Sequence, residues 1–416
     1  MFFFYQIIIS LLLIISPLII IYRIIKNKED FKRFKEKFSF ASQNRTQGKL
    51  IWFHGASVGE IISVIPLIKY YEKIKNVNQI LITSSTLSSS KIINKFKFKK
   101  TIHQFYPVDH FIFTNKFLNY WKPNIAIFIE SEIWPCMFKN LSNKKTPLIL
   151  LNARLTKKTF NKWMQIEDFT KSIFNNITKA YPQNLETLTF LKKINSTKID
   201  LIGNLKFTES HLENFNKLNR NLKNELKKKN VWIASSTHKT EETFCATAHT
   251  ILKKRVQNLI TVIIPRHVHR GREIANELKN MNLKYAFHSK RPNNLNSIDI
   301  YIVDTFGETK KFHNMGSSVF LGGSIIKRGG QNPLEAARLG AKILHGPNTD
   351  NFRDIYKLLK SLNISKKIYT PEQLARSIVF KKNKHKGNKI KNIGEKILKK
   401  TIKELDSVIK NEFKKT

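Results

Sequence analysis

The chain reads as two doubly wound α/β domains in tandem behind an apolar helix, and three observations lead there. Its 416 residues exceed what a single hydrophobic core usually serves, so two domains are expected. Short apolar runs alternate with segments of helical spacing, the mark of parallel βαβ units. Phe2 to Tyr22 is almost wholly apolar, interrupted only by Gln6, Ser10, Ser16 and Pro17.

About twenty apolar residues are what a membrane-spanning helix needs. The run has neither a charged start nor a small-residue cleavage site, so residues 1–27 read as an uncleaved anchor. Arg23, Lys26, Lys28, Lys32, Arg33, Lys35 and Lys37 follow it, and the positive-inside rule then places the rest of the chain in the cytoplasm. From Glu29 to Ser39 a charged, helix-like stretch spaces Phe31, Phe34 and Phe38 for one face, turned to a bilayer or to the first domain.

The first series of buried strands is Leu50–Phe53, Ile80–Thr83, Ile125–Ile129 and Leu148–Leu151, with a helix over Ile61–Ile74. A second series follows at Val231–Ala234, Leu259–Ile264, Ile300–Val303, Ser318–Leu321 and Lys342–Leu344. The lysine-rich stretch from Thr208 to Asn230 separates them. The expected domains are therefore 28–207 and 208–390, with a basic helix over 391–416. In such sheets ligands bind beyond the carboxyl ends of the strands, and two such halves facing a cleft suit an enzyme that joins two substrates.

The formal net charge is +44, from 74 Lys and Arg against 30 Asp and Glu. Anionic lipid, a phosphorylated lipid substrate, nucleic acid and plain solvated surface are all consistent with that excess. No aromatic RNA-binding motif accompanies the basic runs. Cys136 and Cys245 have no paired spacing, so neither a disulfide framework nor a cysteine metal site is implied, in keeping with a reducing compartment. His267 and His269 lack a matching carboxylate, and no metal site is expected. There is no glycine–lysine–serine phosphate loop.

The richest stretch is Gly322-Gly323-Ser324 followed by Gly329-Gly330-Gln331-Asn332-Pro333-Leu334-Glu335. Glycines after a strand, then Pro333 opening a run of helix formers, suggest a turn whose N–H groups receive a phosphate. Glu335 would repel a phosphate, so a sugar hydroxyl suits it better; a nucleotide-sugar site follows, or else a tight turn with no ligand. Earlier, His54-Gly55-Ala56-Ser57-Val58-Gly59-Glu60 follows the first strand, and Glu60 either takes a proton from an attacking hydroxyl or complements a helix dipole. Glu130 and Glu132 follow a buried strand and need a partner, for which Arg154 is a candidate. Gly203-Asn204-Leu205-Lys206 closes the first half with a cation. In the second half Ser235 to His238, then Pro265-Arg266, then Gly307-Glu308-Thr309 follow strand ends, and Arg266 could grip a phosphate.

The order and spacing of these blocks, from about Arg33 to Phe352, resemble the 3-deoxy-D-manno-octulosonic acid (Kdo) transferases of lipopolysaccharide synthesis. The resemblance implies a GT-B fold and an inverting, metal-independent glycosyl transfer without a cofactor. CMP-Kdo would be the donor and a phosphorylated lipid A precursor the acceptor, at the cytoplasmic face of the inner membrane, with a single-pass anchor and no nucleic acid. By the same resemblance Glu60 matches the catalytic base, and Glu130 and Lys206 match supporting groups. Pro265, Arg266, Gly307, Glu308, Thr309, Asn332, Pro333, Leu334 and Glu335 match the CMP site. Gln331 departs from the family pattern, which has histidine there. The segment Thr309-Lys310-Lys311-Phe312 is more polar than usual, and the glycine expected near Ser39 is missing.

Overall fold

The structure, a computed structural model, describes residues 1–194, 198–211, 218–290, 292 and 294–415. The chain divides into two compact units, Met1–His211 with Gly394–Thr416, and Leu212–Ile393. Part of the linker expected from Thr208 to Asn230, residues 212–217, lies outside the described residues.

In the first unit the strands are β1 (Leu50–His54), β2 (Gln79–Ser84), β3 (Thr101–Phe105), β4 (Ile125–Ile129), β5 (Leu148–Ala153) and β6 (Lys179–Pro182). They form one parallel sheet in the order β3-β2-β1-β4-β5-β6. Strands β1, β2, β4 and β5 are buried along their whole length because helices cover both faces, which is why each is a continuous apolar run. Trp52, Phe117, Trp121, Phe128 and Phe138 pack in one core on one side of this sheet.

In the second unit β7 (Asn230–Thr237), β8 (Leu259–Pro265), β9 (Tyr285–Phe287), β10 (Ile300–Ile302), β11 (Ser318–Leu321), β12 (Lys342–His345) and β13 (Ser365–Lys367) are again parallel. Their order is β13-β12-β11-β7-β8-β10-β9. Strand order reverses between β1 and β4 in the first sheet and between β7 and β11 in the second. These two switch points are where a doubly wound sheet offers a crevice for a ligand.

Several elements differ from the sequence reading. The helix expected from Ile61 begins at Val58, because the Ser57 side chain accepts from the Glu60 N–H and Glu60 reaches back to the Ser57 N–H, a reciprocal capping box. The Glu29–Ser39 stretch is not one amphipathic helix. Only Phe34–Phe38 is helical, as a 3₁₀ turn, and Phe31 is 72% exposed while Phe38 packs on Phe113. The buried Glu36 causes this: it takes Arg33 Nε at 2.6 Å and the Phe105 N–H at 2.6 Å, drawing the backbone into a tight turn. The carboxyl-terminal helix runs from Lys384 to Lys415 rather than from residue 391, and its portion from Gly394 belongs to the first unit. The amino-terminal helix is Phe2–Ile25, long and apolar enough to cross a membrane.

Candidate active site

The first sheet brings its acidic groups together at the β1/β4 switch point. His54 ends β1, and the turn Gly55-Ala56-Ser57 leads into the helix that carries Glu60 at its third position. The Glu60 carboxylate folds back over this turn, accepting from the Ala56 N–H at 2.7 Å, the Ser57 N–H at 3.3 Å and the Ser57 hydroxyl at 2.9 Å. A side chain on Gly55 would stand 3.0 Å from Glu60 Cβ, so glycine there leaves room for the carboxylate. Burial, then the charges of Glu132 and Glu130, raise the Glu60 carboxyl to about 7, against the opposing hydrogen bonds from Ser57.

Glu130 follows β4 and is buried. Its backbone is left-handed, φ +57°, which turns the carboxylate back toward the sheet end. Lys206 Nζ reaches Glu130 Oε1 at 2.7 Å, and the Asn152 amide stands at 3.5 Å from the same oxygen. The partner of Glu130 is therefore Lys206 and not Arg154, whose backbone N–H and carbonyl bond to Glu130 and Ser131 instead. Glu132 accepts from Trp134 Nε1 at 2.9 Å and stands 3.2 Å from His54 Nε2. Burial lowers the His54 pKa, so His54 is a neutral donor to Glu132 while its Nδ1 lies 2.9 Å from the Thr83 hydroxyl. His54 went unassigned in the sequence reading; its position at the end of a fully apolar strand was the available signal.

In the second unit the glycine-rich turn differs from expectation in an instructive way. Glu241 is fully buried and accepts from the N–H groups of Gly323 at 2.7 Å, Ser324 at 3.1 Å, Ile325 at 3.0 Å and His238 at 3.1 Å. The turn is an anion nest, but the chain's own carboxylate fills it, so these donors are not open to a phosphate. Gly322 is glycine because a side chain there would stand 2.3 Å from the Ser236 carbonyl. The helix after Pro333 is also short, Leu334–Arg338, with Pro333 as its cap, so its dipole is small.

Cations gather beside this turn instead. Arg266 directly follows β8 and is exposed, and its backbone N–H bonds the Thr237 carbonyl at 2.9 Å. Burial chiefly, and then the nearby charges of His267, Arg328 and Arg266, hold the His238 pKa down despite Glu241. A side chain on Gly323 would meet Arg328 Cβ at 3.3 Å, His238 Cδ2 at 3.5 Å and Gln331 Nε2 at 3.5 Å, so the Gln331 amide faces the same spot. Pro265 ends β8. Gly307 has φ +85° with open space around it, and Glu308 caps the short helix from Thr309 while accepting Lys311 Nζ at 2.9 Å. Asn332 Oδ1 accepts the Leu334 N–H at 3.0 Å. Glu335 Oε1 lies 3.1 Å from His313 Nδ1, whose other nitrogen is 2.9 Å from the Ser235 hydroxyl. Burial would raise the Glu335 carboxyl, but His313, Lys310 and Arg338 together hold it below its ordinary value. His313 completes the site and was not singled out by motif, whereas Glu241 belongs to the motif block that follows Ser235 to His238.

Two parallel doubly wound units with polar clusters at both switch points make up a GT-B architecture. A glycosyltransferase from Rickettsia africae ESF-5 has the same fold, with a TM-score of 0.54 at 11% identity over 88% of this chain and 100% of that one. The family model described as 3-deoxy-D-manno-octulosonic-acid transferase (kdotransferase) matches residues 32–209. The 3-deoxy-D-manno-octulosonic acid transferase of Rickettsia bellii (strain RML369-C) is 34% identical over 393 residues, 94% of this chain and 93% of that protein. That of Haemophilus influenzae is 28% identical over 368 residues, covering 84% of each. The chain belongs to the 3-deoxy-D-manno-octulosonic acid transferase family, and it is an enzyme that transfers a glycosyl group.

Proposed function

We propose that the protein moves Kdo from CMP-Kdo to a phosphorylated lipid A precursor, lipid IVA, with inversion at the anomeric carbon and Glu60 as general base. The observation that carries this reading is the Glu60 carboxyl near 7 at the β1/β4 switch point, beside a second carboxylate neutralised by a lysine. A base with that pKa is ionised in part at neutral pH and strong enough to take a hydroxyl proton. The acceptor oxygen attacks the anomeric carbon, the bond to the CMP phosphate oxygen breaks, and the hydroxyl proton passes to Glu60. Lys206, 2.7 Å from Glu130, holds that carboxylate in place beside the positive charge that develops on the sugar ring.

On the donor side Arg266 with Arg328 and the Gln331 amide supplies cation and donors for one phosphate and the Kdo carboxylate. Pro265, Gly307, Glu308, Thr309, Asn332, Pro333 and Leu334 line the nucleotide, and Glu335 receives a sugar hydroxyl. Gln331 replaces a ring donor with an amide donor and so keeps the contact. CMP carries a single phosphate, which these side chains can hold without a divalent ion, so transfer persists undiminished in chelator; strict metal dependence would refute that part. The enzyme works at the cytoplasmic face of the inner membrane, where the basic surface meets anionic headgroups and the lipid phosphates.

The test is Glu60→Ala assayed with CMP-Kdo and tetra-acylated precursor. CMP binding stays near wild type while turnover falls by about 10²- to 10⁴-fold. Wild-type turnover in this variant removes Glu60 from the role of base.

A further inference from the structure

The transfer chemistry leaves the amino-terminal helix unexplained, and the helix is tied to the first unit at both of its ends. Near its start Phe2 and Tyr5 pack on the core. The Tyr5 hydroxyl donates to Asp109 Oδ2 at 2.8 Å, and Ser10 Oγ lies 3.2 Å from His110 Nε2. At its far end Arg23 Nε donates to Glu29 at 3.1 Å, and the same Glu29 oxygen accepts Lys37 Nζ at 2.5 Å. The Lys37 carbonyl in turn accepts the Val108 N–H at 2.9 Å. Val108, Asp109 and His110 are consecutive; the start of the helix is held on this stretch directly, and its finish is linked to it through Glu29 and Lys37.

Exposure along the helix agrees. Its covered or half-covered positions are Phe2, Tyr5, Gln6, Ile9, Leu13, Ser16, Ile20, Arg23 and Ile24. At 100° per residue all nine fall on one face, which runs the full length of the helix. On the opposite face Phe4, Ile8, Leu11, Ile15, Leu18 and Tyr22 are each at least half exposed. Pro17 removes the N–H that would bond the Leu13 carbonyl, and the Ser16 hydroxyl takes that carbonyl at 2.8 Å, so the mid-helix break is internally satisfied.

We propose that this helix is an in-plane anchor, seated within the cytoplasmic leaflet with both ends on the cytoplasmic side, and not the single-pass span its length suggests. The occupant of the exposed face is lipid. A helix about 10–12 Å across fits a leaflet of about 15 Å of hydrocarbon, half the bilayer core. A crossing helix would carry Tyr5 and Ser10 to the far side, tearing them from Asp109 and His110. Lys26, Lys28, Lys32 and Lys35 are exposed beside the helix, with Phe31 and Phe40 also exposed, which suits an anionic headgroup layer.

This inference rests on the membrane placement proposed above, and one experiment separates the two. A short neutral Gly-Ser tag bearing one cysteine is placed ahead of Phe2 in the full-length chain, and a second protein carries Lys28→Cys. Both are treated with an impermeant maleimide in intact spheroplasts and in inside-out membrane vesicles. Both cysteines are expected to be labelled in the vesicles and neither in the spheroplasts. Labelling of the tag in spheroplasts overturns the in-plane anchor while leaving the membrane placement intact. Recovery of the active protein in the soluble fraction overturns the membrane placement itself.

Discussion

Glu60 shows how one side chain serves two purposes. Its three hydrogen bonds close the start of its own helix, and the same contacts hold the carboxylate at the end of β1 beside Glu130 and Glu132. Its proton affinity is raised by burial first, by Glu132 second and by Glu130 third. Because the folded pKa lies above the ordinary carboxyl value, the protonated form is the stable one in the fold. Its contribution to stability is present at low pH and is lost as pH rises through about 7. In the proposed role of base Glu60 acts only when ionised, so activity is expected to rise with pH through the same range. Glu132→Gln removes one of the raising charges, and the acidic limb of the pH–rate profile is expected to move to lower pH; a limb that stays in place separates Glu132 from Glu60.

Elements are positioned by backbone approaches that only certain residues permit. The turn after β11 depends on a glycine pair and on Glu241, a buried carboxylate that accepts from four backbone N–H groups. Glu241→Ala strands those donors, at a cost of about 1–3 kcal/mol for each one left unbonded. The expected outcome is a clear fall in melting temperature together with lost CMP affinity, measured by calorimetry and by titration. Unchanged stability would mean that the turn does not rely on this carboxylate. The carboxyl-terminal helix makes a comparable approach in the first unit, where a side chain on Gly394 would stand 2.0 Å from the Phe207 carbonyl.

The first unit is completed from the far end of the chain. Asp406 accepts from the Tyr70 hydroxyl at 2.7 Å and from the Tyr71 hydroxyl at 3.1 Å, and Glu404 pairs with Lys179 at 2.9 Å. These contacts join residues more than 200 positions apart, so the contacts of the first unit are complete only with the last helix in place. Truncation after Ile393 is expected to lower the melting temperature of the first unit and to expose it to protease. A truncated chain with full stability and activity would show that this helix contributes nothing. The net charge of +44 does not enter this contact network, where the few acids are used locally against chosen lysines.

Nine of the thirteen strands seen among the described residues were legible as apolar runs, and they are the interior strands of both sheets. The four that escaped, β3, β6, β9 and β13, are the four sheet edges, where one flank is open and residues such as His103, Gln104 and Lys366 are allowed. Glu60, Glu130 and Arg266 could be singled out because each closely follows a strand, and Lys206 because it is the cation after Gly203 that closes the first half. Which carboxylate took which cation could not, since Arg154 directly follows the strand beside β4 and is the nearer candidate in sequence, yet it is Lys206, farther along the chain, that reaches Glu130 at 2.7 Å. The amino-terminal helix was likewise plain as twenty-odd apolar residues, but its contacts were not: hydropathy counts residues along one helix, whereas Asp109 and His110 meet its first ten residues from a part of the chain that only folding brings beside it.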